Sequence, residues 1–402
     1  MRAEVIAIGD ELTTGQRLDT NTQWLSQRLT ELGVQVAFHT TITDELADNV
    51  AAFRAAINRV DIVVATGGLG PTADDLTRDA IAAATNTELV CDEASLMHIK
   101  SLFASRGRQM PERNEVQADF PVGSVPIFNP HGTAPGIEMS MVGEDGKRCT
   151  LFALPGVPAE MFEMWEATVA PRILALQPEP RVIRHRRIKC FGVGESTLEA
   201  MLPDLIRRDR EPRVGITVSD ATLTLRITAT GRDEATCFAA MEPTIATIYE
   251  SLGDLVFGEE DDELQHTVIR LLAERNLTLA VEDWATGELL TGWLAAADEE
   301  SHVYRTNPNP SADLVAELAA QPHSVAAAIE IAERVRRETQ ADIGLGIAAF
   351  PAQTEGPEAH IYAALALPGQ TRKLCFSCAA HPSIVHSRTA KQALNALRLA
   401  LV

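Results

Sequence analysis

The sequence is short of basic residues, with 35 Lys and Arg against 56 Asp and Glu and a formal charge of −21. This surplus of negative charge disfavours a general affinity for nucleic-acid backbones or anionic membranes. No uncharged apolar run approaches the roughly 18 residues that a membrane-spanning helix needs. The apolar run at residues 5–8 is interrupted at once by Gly9, which is not the pattern of a secretory signal. We therefore predict a cytoplasmic protein that binds neither nucleic acid nor membrane.

Cysteines are few and scattered, at positions 91, 149, 190, 237, 375 and 378. This spacing in a long chain excludes a disulfide framework. The one close pair, Cys375 and Cys378, lacks the second pair that would complete a zinc site. It also lies in a predicted strand, residues 373–379, where residues three apart face opposite sides. We predict buried, reduced thiols.

The 402 residues are 46% hydrophobic, which predicts two or three domains with ample core. There is no short-period repeat and no low-complexity tract. Strand patterns at residues 4–8, 34–38, 61–65 and 150–154 alternate with helical patterns that include residues 20–32 and 44–58. This alternation predicts a three-layer αβα domain with a parallel sheet over residues 1–175, where ligands bind at the carboxyl ends of strands.

After Pro178 the pattern changes to two strands, residues 181–190 and 222–230, with helical stretches between and after them. This predicts a small α+β module over residues 180–258, bounded by the acidic residues 259–262. A second α/β domain is predicted over residues 262–402. Its predicted helices and strands are residues 265–275, 277–281, 326–338, 343–349, 361–367 and 388–401.

A glycine-rich turn follows the strand at residues 61–65 and contains Thr66, Gly67, Gly68 and Gly70. Glycines allow backbone N–H groups to approach an anion closely, and the start of a helix at this point favours phosphate. Pro71 suits the first position of that helix. The pattern predicts a phosphate-binding corner between strand and helix.

Carboxylates gather around this corner. Asp74 and Asp75 fall at its mouth, where they could hold a divalent cation against a bound phosphate. Alternatively, they only complement the helix dipole, by about 0.3–1 kcal/mol each. Asp44, predicted to open a helix, and the acidic residues 9–11 follow two other strands. Because parallel strands end at one edge of the sheet, these loops should meet there, which favours a metal or a positioned water.

Five stretches carry a family resemblance: GDEL at residues 9–12, TGGLGPTADDLT at 66–77, NPHGTAPG at 129–136, PGVPAEM at 155–161 and GVGES at 192–196. In order and spacing they resemble the CinA family, competence/damage-inducible protein A and its relatives, over about the first 260 residues. The resemblance implies a MoaB/Mog-like first domain with metal-dependent ADP-ribose pyrophosphatase activity, and a homodimer. Mog-like relatives adenylylate molybdopterin through two aspartates that match Asp44 and Asp75, which makes molybdopterin transfer a weaker alternative.

The resemblance also implies roles for individual residues. Asp44 and Asp75 would be catalytic, and Asp74 and Asp75 would hold a divalent metal ion of unknown identity. His131 is a weaker candidate for a general base, since a lone loop histidine is more often a surface residue. The predicted contacts to the nucleotide and its phosphates are Gly9, Asp10, Glu11, Thr66, Gly67, Gly68, Gly70, Thr72, Gly132, Thr133, Pro155, Gly156 and Glu160.

The last domain of CinA proteins resembles a nicotinamide-mononucleotide deamidase whose stretch Ala-Glu-Ser-Cys-Thr-Gly-Gly supplies a serine nucleophile. Here Trp284 stands in place of that serine and Glu288 in place of the second glycine. Trp has no nucleophilic atom and its bulk would fill the pocket. A second family stretch, Thr-Gly-Ile-Ala-Gly-Pro, is replaced by GIAAFP at residues 346–351. Thr286 or Ser301 could substitute as nucleophile, but we predict that the deamidase function is lost and that this domain serves packing or assembly.

Three functions therefore stay open from the sequence. The first is a metal-dependent hydrolase of ADP-ribose-like dinucleotides, which the acidic edge beside the glycine turn favours. The second is a deamidase that works through an unrecognised residue. The third is a non-catalytic protein that binds nucleotides or acts as a scaffold.

Overall fold

The computed structural model of the protein describes residues 1–144, 146–179, 181–207, 209–300, 302–306, 318, 320–351, 360–378, 381 and 383–402. The chain divides into two compact units. The first unit comprises residues 1–184 and 230–239, and the second comprises residues 185–229 and 240–402.

Among the described residues, eight strands and seven α-helices lie wholly within the first unit. Strands β1 to β8 are Arg2–Ile8, Gln35–Ile42, Ile62–Thr66, Leu89–Cys91, Asp119–Pro121, Val125–Ile127, Gly136–Val142 and Arg148–Leu154. Helices α1 to α7 are Asp10–Thr13, Thr20–Glu31, Leu46–Arg59, Thr77–Thr85, Glu93–Ser105, Pro158–Met164 and Ala170–Leu176, with a 3-10 helix at Glu112–Ala118 and a π-helical turn at Trp165–Val169.

Six of these strands form one sheet in the order β2-β1-β3-β8-β7-β6. The four strands β2, β1, β3 and β8 are parallel, which confirms the α/β prediction. The sheet as a whole is mixed, because β7 and β6 are antiparallel to their neighbours. A tight turn between β7 and β8, in which the Gly143 N–H donates to the Lys147 carbonyl at 2.8 Å, joins strands that can only be antiparallel.

Helices cover both faces of this sheet, as the three-layer prediction requires. Ile6, Val63 and Ala65 face one layer with side chains of α3 and α4, such as Phe53 and Ile81. The alternate strand residues, among them Val5, Ile62 and Val64, face the opposite layer with Leu25, Met161 and Trp165 of α2, α6 and the π-helical turn. Successive strand residues point to opposite faces, so strands that are apolar throughout are buried on both sides.

A four-stranded sheet follows, in the order β10-β11-β9-β12. Strands β9 to β12 are Val182–Cys190, Arg213–Ser219, Thr222–Gly231 and Val256–Glu259, and helices α8 and α9 are Glu195–Met201 and Glu234–Leu252. The sequence pattern does not predict strand β10. It lies at the edge of the sheet and most of its residues are exposed or half-buried, so it carries little apolar alternation.

The remaining elements form a second α/β layer structure with strand order β14-β13-β15-β16-β17. Strands β13 to β17 are Leu279–Asp283, Tyr304–Arg305, Ile343–Ile347, His360–Leu367 and Gln370–Ser377, and helices α10 to α13 are Leu264–Arg275, Leu289–Ala297, Val325–Thr339 and Val385–Leu401. Strands β14, β13 and β15 are parallel to one another, whereas β16 is antiparallel to both of its neighbours, β15 and β17. Helix α13 packs Leu394, Leu397 and Leu401 into the core, as predicted, whereas Leu399 is exposed.

The prediction that all cysteines are buried is wrong for three of the six. Cys149, Cys190 and Cys237 are buried free thiols, but Cys91 and Cys375 are exposed and Cys378 is half-buried. Cys91 lies on β4, which pairs only with β5 in a two-stranded sheet, and Cys375 lies on β17, the edge strand of the five-stranded sheet. Both strands are therefore only partly covered by neighbouring elements. Burial raises the pKa of the Cys149 and Cys190 thiols to about 12. None of the helices in the described ranges is both long and apolar enough to cross a membrane.

Candidate functional site

A cavity of about 590 Å³ opens at the carboxyl ends of the parallel strands of the first unit. The loops that follow β1, β2, β3 and β8 all contribute to it, so the loops predicted to share one edge of the sheet do meet there. Thirteen of the predicted site residues line the cavity: Gly9, Glu11, Asp44, Thr66, Gly67, Gly68, Gly70, Asp74, Asp75, Thr133, Pro155, Gly156 and Glu160.

The backbone conformation and close packing of the glycine turn require glycine at two positions. Gly67 and Gly68 have φ values of +107° and +65°, which L side chains rarely adopt. A Cβ atom on Gly67 would lie 2.4 Å from the Ile8 carbonyl oxygen. The Gly67 N–H donates to the Leu154 carbonyl at 3.1 Å, so the prediction that this amide faces a phosphate is wrong. The amides of Gly68 and Gly70 remain as candidates.

The helix after the turn begins at Thr77 and not at Pro71, which corrects the predicted corner. Residues 70–76 form a loop instead, in which the Asp75 N–H donates to the Thr72 carbonyl at 3.1 Å. Asp74 and Asp75 therefore precede the helix, and the acidic residue of its first turn is Asp79. Because Asp75 directly precedes the N-cap Leu76, an interaction of its carboxylate with the helix dipole stays an alternative to metal binding.

A buried arginine supports the turn from below. The Arg78 side chain, 3% exposed, donates to the carbonyls of Leu69 and, at 3.2 Å, Gly70. Thr77 Oγ1 donates to the Gly67 carbonyl at 2.8 Å. Since C=O and the next N–H point in opposite directions across a trans peptide, these bonds direct the Gly68 and Gly70 amides away from the supporting side chains. Burial lowers the pKa of Arg78 to about 10, against the opposing effect of nearby carboxylates.

Asp44 and Asp10 hold each other by reciprocal bonds. The Asp10 N–H donates to Asp44 Oδ2 at 2.9 Å, and the Asp44 N–H donates to Asp10 Oδ1 at 3.2 Å. Burial raises the pKa of Asp44, the Asp10 N–H opposes this, and the carboxylates of Asp10, Asp74 and Glu11 add to the rise. Asp44 precedes helix α3, whose N-cap is Glu45, so the prediction that it opens the helix is wrong. Asp10 is not among the lining residues and acts as a brace.

Thr72 holds the Asp75 carboxylate in place by two hydrogen bonds. Its backbone N–H and Oγ1 both donate to Asp75 Oδ2, at 2.9 and 2.5 Å. Thr72 does not line the cavity, so its predicted direct contact with a nucleotide is not supported by its position. It fixes the direction of the Asp75 carboxylate.

A metal ion fits the chemistry of this donor set, although not as an all-protein cage. Among the described residues, no group of three or more His, Cys, Asp or Glu side chains is placed to hold one. Asp44, Asp74 and Asp75 nevertheless supply hard oxygen ligands around one cavity. Magnesium-type ions commonly take one or two carboxylates and complete their shell with water and phosphate oxygens. The pKa of Asp44 is raised mainly by burial and further by the neighbouring carboxylates, and a bound cation would relieve this second contribution.

Asn129 organises the loop on the far side of the cavity. Its Nδ2 donates to Glu160 Oε2 at 2.7 Å and to the Ala134 carbonyl at 2.9 Å, and its Oδ1 accepts the Gly132 N–H at 2.8 Å. Gly132 does not line the cavity, but a Cβ there would overlap the Glu160 carboxylate. His131 is exposed and pairs with Glu163 at 3.3 Å, so the cavity gains no histidine base from it.

Sequence reasoning missed three further residues. Asn21 Nδ2 donates to the Gly156 carbonyl at 2.9 Å and to Thr66 Oγ1 at 3.2 Å, and thereby ties two of the cavity loops together. Arg17 brings a positive charge to the lining, and Arg78 lies beneath the glycine turn. The sequence offers a signal for Arg78 alone, as a cation just behind a phosphate-type turn.

The corresponding loop of the second unit, residues 284–288 after β13, is closed by its own side chains. Trp284 Nε1 donates to Glu282 Oε1 at 2.9 Å. Asp283 Oδ1 accepts the N–H groups of Ala285 and Thr286, both at 2.9 Å, and its Oδ2 accepts from the Thr286 hydroxyl. The hydroxyl of Thr286 therefore serves the turn. Ser301, the other candidate nucleophile, lies outside the described residues.

Comparison with known families assigns the α/β domain to the molybdopterin-binding type and the following four-stranded module to the KH type. The family described as "Probable molybdopterin binding domain" matches residues 4–175, and the "Damage-inducible protein CinA KH domain" matches residues 185–258. The CinA-like protein of Dictyoglomus thermophilum is 35% identical over 389 residues, covering 92% of each chain. The putative competence-damage inducible protein of Alkaliphilus metalliredigens is 33% identical over 418 residues, covering 100% of each chain.

The chain therefore belongs to the CinA family. Among solved structures, the protein CinA of Thermoplasma acidophilum, described as of unknown function, is 35% identical to it. That structure covers 43% of this chain and 99% of its own, with a TM-score of 0.39.

Proposed function

We propose that the first unit hydrolyses the pyrophosphate bond of ADP-ribose-like nucleotides with the help of a divalent metal ion. One observation carries this proposal: a glycine turn and three aspartates, Asp44, Asp74 and Asp75, line one cavity at the carboxyl ends of the parallel strands. Backbone amides bind phosphate oxygens, and clustered carboxylates beside them serve a cation or a water. The family resemblance supports the same substrate class.

The chain's own residues then divide the work. The Gly68 and Gly70 amides donate to the oxygens of the phosphate under attack, and Arg17 balances part of the charge of the nucleotide. Asp44, whose pKa is raised, accepts a proton as the water oxygen bonds to phosphorus and the bridging oxygen leaves with the second phosphate. The products are AMP and ribose 5-phosphate. Asp74 and Asp75 would hold the cation, which neutralises phosphate charge and acidifies water when bound.

Within the same proposal, the second unit has no deamidase activity. The position of the family's serine is taken by Trp284, whose indole N–H is bonded to Glu282. Thr286 directs its hydroxyl to Asp283, a carboxylate that already accepts two backbone amides. A nucleophile needs a base free to take its proton, and this loop offers none at those positions.

The test is incubation of the full chain with ADP-ribose and with nicotinamide mononucleotide, across several divalent metals, with AMP and ammonia measured. We expect AMP release that falls by about 100-fold or more in Asp75→Asn. Asp79→Asn, an exposed acid of the following helix, is the matched control and should retain activity. AMP release that survives in Asp75→Asn would contradict the site, and ammonia from the mononucleotide would contradict the inactive second unit.

A second candidate is a protein that binds the nucleotide without turnover. It is favoured by the lack of a ready three-ligand metal group among the described residues. Saturable ADP-ribose binding by calorimetry, with no AMP under any metal, would support this candidate over hydrolysis.

We also propose a cytoplasmic location, which the N-terminal sequence pattern supports, and a homodimer, for which the family resemblance is the support. Light scattering on the purified chain measures its mass directly, and a monomer at micromolar concentration would contradict the proposal.

A further inference from the structure

A second cavity, of about 300 Å³, lies within the second unit and away from the glycine turn. Two lysines, two carboxylates, one amide and one indole carry the argument about it: Lys189, Asp220, Glu263, Gln265, Trp293 and Lys391. They come from β9, the turn before β11, and helices α10, α11 and α13. Buried lysines are costly unless they are paired, so each ammonium group must be accounted for.

Lys391 is fully accounted for by its neighbours. Its side chain is 6% exposed, and Nζ donates to the Asp220 carbonyl at 2.9 Å and to Thr222 Oγ1 at 2.8 Å. The carboxylates of Asp220 and Glu263 lie 3.4 and 3.6 Å from the same nitrogen. Lys391 therefore serves as a structural anchor of one wall.

Lys189 and Gln265 leave hydrogen-bonding capacity unused. Lys189 is 13% exposed, and within the described part of the chain its Nζ has one acceptor, Glu263 Oε1, at 3.3 Å. An ammonium group carries three donors. Gln265 Oε1 is buried and has no hydrogen-bond partner among the described residues. The cavity thus presents a cationic donor that a ligand can satisfy, whereas the Gln265 oxygen is covered by protein atoms.

The charges of the lining restrict the class of ligand. Lys189 and Lys391 oppose Asp220 and Glu263, so the lining has no net charge. A simple anion would face two carboxylates and a simple cation two ammonium groups, and each like-charge contact lowers affinity. A small zwitterion avoids both contacts, because its carboxylate can bind Lys189 while its ammonium binds the acidic groups.

We propose that this cavity binds a small α-amino acid with an apolar or aromatic side chain. The carboxylate accepts from Lys189, and the ammonium donates to Glu263 or Asp220. The side chain packs on the Trp293 indole, which also lies 6.0 Å from Lys391 Nζ. Aromatic and cationic groups around one apolar wall suit a ligand that is polar at one end only.

Calorimetric titration of the full chain with phenylalanine, 3-phenylpropionate and 2-phenylethylamine tests the proposal directly. The second ligand lacks the ammonium and the third lacks the carboxylate. We expect saturable binding of phenylalanine and at least about tenfold weaker binding of both analogues. A titration with leucine and glycine then measures the contribution of the side chain.

Two variants connect any binding to this cavity. Lys189→Met keeps most of the side-chain volume and should weaken phenylalanine binding about tenfold or more, and Trp293→Ala should do the same. Lys100→Met, which removes an exposed ion pair with Glu115 in the first unit, is the control and should bind as the unchanged protein does. The proposal is overturned if no amino acid saturates the protein by about 10 mM, if an analogue binds equally well, or if both cavity variants bind like the control.

Discussion

Two loops of this chain each follow a strand that is parallel to both of its neighbours, but one loop lines a cavity and the other is filled by its own side chains. Residues 67–71 follow β3 and line a cavity of about 590 Å³. Residues 284–288 follow β13, and there the Trp284 indole and the Thr286 hydroxyl bond to carboxylates of the strand end itself. Topology therefore provides a possible site at the end of a strand, and the side chains decide whether it is open or filled.

The two loops also differ in how they are supported. In the first, backbone carbonyls are held from behind by Arg78 and Thr77, which leaves amides directed away from that support. In the second, the Asp283 carboxylate accepts hydrogen bonds from two backbone N–H groups of its own turn. An anion-binding loop needs backbone N–H groups that have no partner in the protein. The first loop directs amides away from its supporting side chains, whereas in the second loop Asp283 accepts the amides of Ala285 and Thr286.

The largest expected effect comes from a Cβ atom in each loop. Gly67→Ala should destabilise the first unit by about 3 kcal/mol or more, because positive φ is combined with a clash against the Ile8 carbonyl. Gly287 has a φ of +67°, in the left-handed helical region, and open space around the added atom, so Gly287→Ala should cost only about 1 kcal/mol. Denaturant unfolding followed by tryptophan fluorescence measures both. Equal losses would show that the first turn is no more constrained than the second.

The sequence predicted the elements better than the loops. Strands β1, β3 and β8 are mostly apolar, and helices α2 and α13 each have an apolar face, so local patterns sufficed. The loop at residues 70–76 was misread as helix because Pro71 suits a first helical position. Here Thr72 bonds to Asp75 and provides the local turn that competes with a helix.

The supporting residues of the site could not be predicted from the sequence. Asn21 meets Gly156 across 135 positions and Asp10 meets Asp44 across 34. No local periodicity records such contacts, because they depend on which loops the sheet brings together. The prediction that the acidic loops meet at one edge of the sheet is confirmed, because it depends only on the parallel direction of the strands and not on contacts between individual residues.

The next largest effect tests the support of the first loop. Arg78→Met should cost about 2 kcal/mol, because the buried carbonyls of Leu69 and Gly70 lose a charged donor. ADP-ribose binding should weaken with it, since the turn amides lose their fixed direction. Arg106→Met removes one exposed bond to the His131 carbonyl and is the matched control. A variant with unchanged binding but lower stability would show that Arg78 serves the fold alone.

The filled loop gives a smaller effect. Trp284→Phe keeps most of the ring but removes the indole N–H that Glu282 Oε1 accepts at 2.9 Å. Loss of a donor to a carboxylate in a half-buried site should cost about 1–2 kcal/mol. Chemical denaturation of the variant measures it, with the first unit's Trp24 and Trp165 as a separate signal. No loss of stability would mean that the indole fills space without holding the loop.

The smallest effect concerns the charge of Asp44, in the loop after β2 at the edge of the first cavity, and its pH dependence. Burial and acidic neighbours raise the pKa of Asp44 above its ordinary 3.8, so ionised Asp44 weakens the folded state at neutral pH. Asp44→Asn should therefore raise the melting temperature at pH 7 by about one or two degrees. The gain should shrink as pH falls through the raised pKa and vanish below 3.8, where Asp44 is protonated in both states. Glu88→Gln, at an exposed acid, should show no such trend, and a gain in Asp44→Asn that persists at low pH would exclude relief of charge as its cause.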